Sequence, residues 1–182
     1  MLFRSCAALL SASSMADDWS LSAGLYQEEL EVEGLTLDDE TGYRIGFGRS
    51  LNEEFDLELE FGVNDFSYSD GFGGTLSLDY IQFGAMVGYK IPLNDSFTLL
   101  PKAGLGVVRG DLDLDDPFLG ITATGSSTEL IWKFGIHAEY EINDSLTANV
   151  GYRMENTTVD IDGLGDFDVD SSGLMFSVQF SF

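Results

Sequence analysis

The sequence predicts an all-β protein: an eight-stranded antiparallel up-and-down transmembrane β-barrel with three short periplasmic turns and four longer acidic outer loops. Three observations predict it. Apolar and polar residues alternate with a period of two in eight separate runs, and helical periodicity is absent. One of the two faces so defined is large, apolar and aromatic, while the other carries glycine, small polar residues and full charges. The same small turn is also written three times, in SLNEEFDLELEFG from Ser50, PLNDSFTLLPKAGLG from Pro92 and EINDSLTANVGYR from Glu141.

The strands follow in order. Two short runs come first, Trp19 to Leu25 and Tyr43 to Phe47. After the first turn, Phe55, Leu57, Leu59, Phe61 and Val63 alternate with Asp56, Glu58, Glu60, Gly62 and Asn64. Ile81, Phe83, Ala85, Val87 and Tyr89 lead to the second turn, and Phe97 to Val107 leave it. Leu130, Trp132, Phe134, Ile136, Ala138 and Tyr140 approach the third turn, and Leu146, Ala148, Val150, Tyr152 and Met154 leave it. The last run is Leu174, Phe176, Val178, Phe180 and Phe182.

A soluble barrel would have to bury the polar face of these strands in a dry core. That face holds Arg44, Asp56, Glu58, Glu60, Lys90, Lys102, Lys133, His137, Glu139, Arg153 and Glu155. Burying such ions costs several kcal/mol each even after pairing. Turned inside out, the pattern is cheap, because lipid takes the apolar face and a lumen takes the charges. Five alternating outward residues span about ten positions, roughly 33 Å of strand, which tilted near 45° covers roughly 23 Å of membrane. An open sheet edge in lipid would strand backbone polar groups, so the first and last strands are expected to meet.

Eight strands need seven connections, and the three Asn-containing turns are the short ones. Asn and Asp suit tight turns because their side chains bond nearby backbone. The long connections run approximately from Gln27 to Thr41, Asn64 to Thr75, Arg109 to Thr128 and Glu155 to Ser172, and they hold most of the negative charge. Alternation within the last of them, at Val159, Ile161, Phe167 and Val169, predicts hairpins that stand above the bilayer.

Composition agrees. The 182 residues suit one domain, with 32 acidic against 8 basic residues and a net charge of −24. Nucleic acid, whose phosphates reward Lys and Arg, is not an expected partner. With 44% apolar and 13% aromatic residues the chain has material to bury, and 21 glycines against 3 prolines suit strands and turns. Residues 1–16, MLFRSCAALLSASSMA, have the order of a secretory signal peptide ending at Ala16, which leaves 17–182 as the barrel domain. The single cysteine, Cys6, lies in that leader, so the domain has no disulfide or thiolate site.

The signal-like start, the eight amphipathic strands, the glycine-rich KAGLGVV and NVGYRMEN stretches and the final GLMFSVQFSF resemble the small outer-membrane barrels. These are the OmpA-type and OmpX-type barrels and the broader porin-family outer-membrane β-barrel proteins. The resemblance covers everything after Ala16. It implies the outer membrane of a Gram-negative bacterium, with outer-membrane lipid and lipopolysaccharide as surroundings. It also implies that Phe180 and Phe182 form the C-terminal signal read by the barrel-insertion machinery. The sequence does not resemble a lipid-A-modifying barrel enzyme, and a monomer without enzymatic activity is expected.

Candidate site residues fall into three sets. Arg44, Glu58, Glu60, Lys102, Lys133 and Arg153 are expected to form lumen ion pairs. Inward candidates come to five acids and five bases when Asp56, Lys90, Glu139 and Glu155 are added, and folding the first turn about Asn52 sets Arg44 opposite Glu60. Asp160, Asp162, Asp166 and Asp168 offer carboxylates among glycines, the kit that calcium prefers, although EF-hand spacing is absent. No cofactor is implied beyond Ca2+ or Mg2+ at such acidic loops. Trp19, Tyr89, Tyr140 and Phe182, with Tyr26 and Tyr152 nearer the other rim, are expected to make aromatic girdles. His137, the only histidine, has no nucleophile motif around it. The leading function is a structural or surface-interaction barrel with a side-chain-plugged lumen; the alternative is a narrow channel for ions or small solutes.

Overall fold

The structure, a computed structural model, describes residues 19–32, 35–36, 40–69, 74–116, 121–161 and 165–182. The expected signal segment, 1–16, lies outside the described residues. The strands are β1 (Trp19–Val32), β2 (Leu35–Thr36), β3 (Glu40–Ser50), β4 (Phe55–Ser69), β5 (Thr75–Tyr89), β6 (Ile91–Pro92), β7 (Phe97–Asp116), β8 (Ile121–Asn143), β9 (Leu146–Ile161) and β10 (Gly165–Ser181). Eight of them make one antiparallel wall in the order β10-β9-β8-β7-β5-β4-β3-β1, and β10 also pairs with β1, so the sheet closes. The two short strands are appendages: β2 pairs with the top of β1, and β6 continues the β5 wall along β7. The seam between β1 and β10 runs from Ser20↔Ser181 to Val32↔Val169, which leaves neither end strand with an open edge in lipid.

Alternation sets the two faces. Outward Leu25, Ile45, Phe61, Phe83, Trp132, Phe176 and their like are exposed and apolar, as lipid-facing side chains must be. The belt stops at a consistent height, where Leu25 gives way to Gln27, Val63 to Asp65, Ile81 to Asp79, Val107 to Arg109 and Leu174 to Ser172. At the turn end it finishes in aromatic pairs on neighbouring strands. Trp19 and Phe47 stack at 4.9 Å, Phe55 and Tyr89 lie 5.2 Å apart, and Phe97 and Tyr140 lie 4.8 Å apart. Phe182 continues this girdle, stacked on Phe180 at 6.2 Å, and Tyr152 is exposed near the opposite rim. Tyr26 departs from expectation: it is completely buried, because its even position in β1 turns it into the lumen.

The three turns share one construction. The Oδ1 of Asn52 accepts the amides of Glu54 and Phe55, both at 2.8 Å. Asn94 Oδ1 accepts those of Ser96 and Phe97 at 2.9 and 3.1 Å. Asn143 Oδ1 accepts that of Ser145 at 3.1 Å, beside a bulge in β8.

The long connections are shorter than the sequence suggests. β1 continues through Glu28 to Val32, β7 to Asp116, and β9 and β10 approach to Ile161 and Gly165. The reason is physical: above the lipid the outward face meets water, so the apolar residues change to the inward parity, as at Leu30, Phe66 and Leu78, while the ladder continues.

Candidate functional site: the barrel interior

An eight-stranded barrel leaves room for side chains and little else. Here the glycines decide where long side chains go. A Cβ on Gly62 would collide with the guanidinium of Arg44, and one on Gly151 would stand 2.7 Å from the Nδ1 of His137. Inward glycine on one strand therefore houses a large inward polar side chain from another.

Three buried acids and three buried bases fill the middle of the lumen. Lys133 Nζ lies 2.6 Å from Glu60 and 3.1 Å from Glu155, and also donates to the Gln82 side-chain carbonyl. Arg153 Nη1 lies 2.6 Å from Glu60 and 3.5 Å from Glu155. Gln82 completes the set by donating to Glu155 at 3.0 Å. One layer outward, Arg44 Nη2 lies 3.8 Å from Glu28 and 3.7 Å from Glu155, with its guanidinium carbon 4.7 Å above the Tyr26 ring. Glu28 also accepts from Asn64 Nδ2 at 2.9 Å and from the hydroxyls of Tyr80 and Ser171.

Towards the turns the pairs become wetter. Lys102 meets Glu58 at 2.7 Å, and the Ser22 hydroxyl donates to Glu58 at 3.2 Å. Lys90 meets Asp56 at 2.7 Å, both about a quarter exposed. A cavity of about 150 Å3 opens here to the periplasmic end, among Ser50, Asp56, Glu58, Lys90, Lys102 and Glu139. The outer end is different: Leu30, Phe66 and Tyr80 pack together with Leu76, Leu78, Val108 and Val169 into an apolar stopper.

All six ion-pair candidates thus point into the lumen, but one pairing differs from expectation. Arg44 stands opposite Gly62, and Glu60 opposite Gly46. The first turn is centred on Glu53 and not on Asn52, since Ser50 pairs with Asp56 and Asn52 is the first corner of the turn. Arg44 consequently engages Glu28 and Glu155, while Glu60 engages Lys133 and Arg153. Glu28 is the residue the sequence reading missed, having been placed in a loop. Its signal was present, because Ser22, Gly24, Tyr26, Glu28 and Leu30 keep one parity. Glu139 faces the vestibule without a direct hydrogen bond or ion pair among the described residues. His137 is buried, and no serine hydroxyl or carboxylate is hydrogen-bonded to it among the described residues.

Of the calcium candidates, Asp162 and the side chains of Asp160 and Asp166 lie outside the described residues. Backbone register sets Asp166 opposite Asp160, and Asp168 accepts the Thr158 hydroxyl at 3.1 Å. Among the described residues no group of three or more His, Cys, Asp or Glu is arranged to hold a metal ion. Phe180 is paired with Leu21 and Leu146, and the Phe182 amide donates to the Trp19 carbonyl at 2.9 Å.

The sequence matches the family described as outer membrane protein beta-barrel domain, over residues 4–180. No curated protein matches it. Among solved structures, Neisserial surface protein A is similar with a TM-score of 0.66 and 14% identity over 90% of this chain and 97% of that one. Ail, the attachment invasion locus protein of Yersinia pestis, solved with the heparin analogue sucrose octasulfate, gives a TM-score of 0.62 and 18% identity over 92% of this chain and all of that one. OprG from Pseudomonas aeruginosa gives 0.54 and 15% identity over 92% and 96%. At such identities the likeness is one of fold. The family match, running over nearly the whole chain, carries more: this barrel belongs to the outer-membrane β-barrel protein family, and its place is the outer membrane of the Gram-negative cell.

Proposed function

We propose that the protein is a sealed outer-membrane anchor that holds acidic hairpins at the cell surface, in a structural or surface-interaction role. One observation carries this reading. Two successive layers block the lumen, the apolar stopper at Leu30, Phe66 and Tyr80 and the Glu60–Lys133–Arg153–Glu155 network beneath it. A water-filled path would require both layers to open together. The narrow-channel reading draws on the periplasmic cavity of about 150 Å3, which reaches inward only to the Lys102–Glu58 pair.

The hairpins above the belt are acidic, and Arg109 is the one base on their outward face, 3.8 Å from Asp111. A sulfated ligand of the kind bound by Ail therefore does not suit this chain. Lipopolysaccharide beside the hairpins is anionic as well, so Ca2+ or Mg2+ would bridge the two. We read Phe180 and Phe182 as the assembly signal, the barrel as a monomer, and His137 as a lumen side chain with no catalytic part.

Planar-bilayer recording of the purified protein tests the reading. The expected record is silent or shows brief, irregular openings. A large, stable single-channel step would overturn it in favour of the channel.

A further inference from the structure

The barrel wall is not paired to one height all round. β4 pairs with β5 as far as Ser69↔Thr75, and β5 with β7 as far as Thr75↔Asp115. Pairing of β3 with β4 stops at Tyr43↔Val63. Among the described residues, Asn64 to Ser69 thus have a sheet neighbour on one side only. The Asp65 amide shows which way this edge faces: it donates to the Oδ1 of Asn64 at 3.0 Å, where a neighbouring strand's carbonyl would otherwise stand. Peptide groups alternate in direction along a strand, so Ser67 turns its amide and carbonyl to the same open side. A cavity of about 300 Å3 lies in the notch, bordered by Glu40, Thr41, Tyr43, Asn64, Phe66 and Ser67.

Such edges are normally blunted by lysine, proline or a bulge. This one reads Asn-Asp-Phe-Ser-Tyr-Ser and carries none of them. Beside it, three aspartates stand in one row across the wall, Asp65 opposite Asp79 and Asp79 opposite Asp111. Like charges facing each other across a ladder destabilise it. A cation laid along the row would relieve that repulsion.

We propose that this notch receives an extended, basic peptide segment of a partner protein, which pairs with β4 as an added strand and reaches a Lys or Arg side chain across Asp65 towards Asp79. Main-chain bonds to the Asp65 carbonyl and to the Ser67 amide and carbonyl supply the docking, and the carboxylate row selects the charge. A second copy of this chain is a poor occupant, since its own edge is equally acidic. The proposal rests on the surface-interaction reading and names the class of partner that reading requires.

The test uses the full-length barrel in lipid nanodiscs, a short peptide alternating Lys and Val, and its Glu–Val counterpart. The Lys peptide should bind saturably, the Glu peptide should not, and binding should slow hydrogen exchange at the Ser67 amide. Ser67→Pro, tolerable at a sheet edge whose N–H has no strand partner among the described residues, should weaken binding by about tenfold, the worth of a main-chain hydrogen bond. Asp65→Asn with Asp79→Asn should weaken it while leaving the barrel resistant to SDS. Should Ser67→Pro unfold the barrel, the double asparagine variant and the exchange measurement decide.

Equal affinity of the Ser67→Pro and unchanged proteins would mean that the peptide merely coats acidic hairpins, and would overturn the proposal. So would an absence of binding, or a Ser67 amide already protected in the free protein, which would mean that the chain covers its own edge. Conductance of the same sample separates the two readings. A conducting barrel that binds the peptide keeps the notch and loses the sealed anchor; a silent barrel that binds nothing keeps the anchor and loses the notch.

Discussion

Lys133 is the residue on which the interior turns. It is wholly buried and reaches Glu60, Glu155 and Gln82 at once. Lys133→Met removes its charge and leaves Glu60 with Arg153 as its one ion-pair partner among the described residues. Breaking a buried pair from one side typically costs about 3–5 kcal/mol. Unfolding in urea from lipid vesicles should show a loss of that order; a loss within experimental scatter would mean that the network contributes no net stability. Gly62→Val tests the room such a network needs, because the new side chain occupies the Arg44 position, and the expected result is a protein that no longer folds to the heat-modifiable form. At this scale the sequence was legible in parity and illegible in register. Arg44, Glu58, Glu60, Lys102, Lys133 and Arg153 could all be assigned to the lumen from alternation alone. Which acid Arg44 meets depended on a one-residue difference in the centre of a turn, and on Glu28 from a strand expected to have ended.

The elements carry the opposite lesson. Apolar belts made each lipid-crossing segment visible, whereas strands beyond the lipid, such as Asp111–Asp116 with Ile121–Ser126, alternate Asp with Leu and Thr with small residues and lack the aromatic outward face. Lipid writes its mark on a strand; water does not. Among the strands β10 has the heaviest duty, since it pairs with β9 on one side and β1 on the other. Removing its last residues, from Phe176 onward, takes away the pairing of the lower seam and leaves β1 an edge in the hydrocarbon, at several kcal/mol for each unpaired group. We expect this truncation to leave no SDS-resistant band in unboiled samples, while a band of unchanged mobility would show that β10 closes nothing essential.

For the molecule as a whole, the apolar outer surface and the acidic crown set the conditions of folding. Phe61, Phe83, Trp132 and Phe176 each expose about half their surface to whatever surrounds the barrel, so the chain should fold only with lipid or detergent present. The net charge of −24 is not spread evenly, because five of the eight bases (Arg44, Lys90, Lys102, Lys133 and Arg153) are spent inside the lumen. What remains outside is almost wholly acidic and repels itself. Calcium that binds the folded form should therefore raise the thermal midpoint by mass action. A midpoint that does not move at matched ionic strength would leave simple screening as the whole effect of salt.

The hydrogen bond from the Phe182 amide to the Trp19 carbonyl, at 2.9 Å, places the two ends of the barrel side by side on the periplasmic rim. A wall that closes on itself has no natural first strand, and the break between β10 and β1 is then a matter of chain order and not of architecture. A short linker joining Phe182 to Trp19, with new termini cut between Ile161 and Gly165, should refold in detergent, where no C-terminal assembly signal is read, to a circular permutant with the same lumen and the same resistance to SDS. Its ends, however, would lie outside the cell, where they could carry a displayed peptide without touching the membrane-spanning wall.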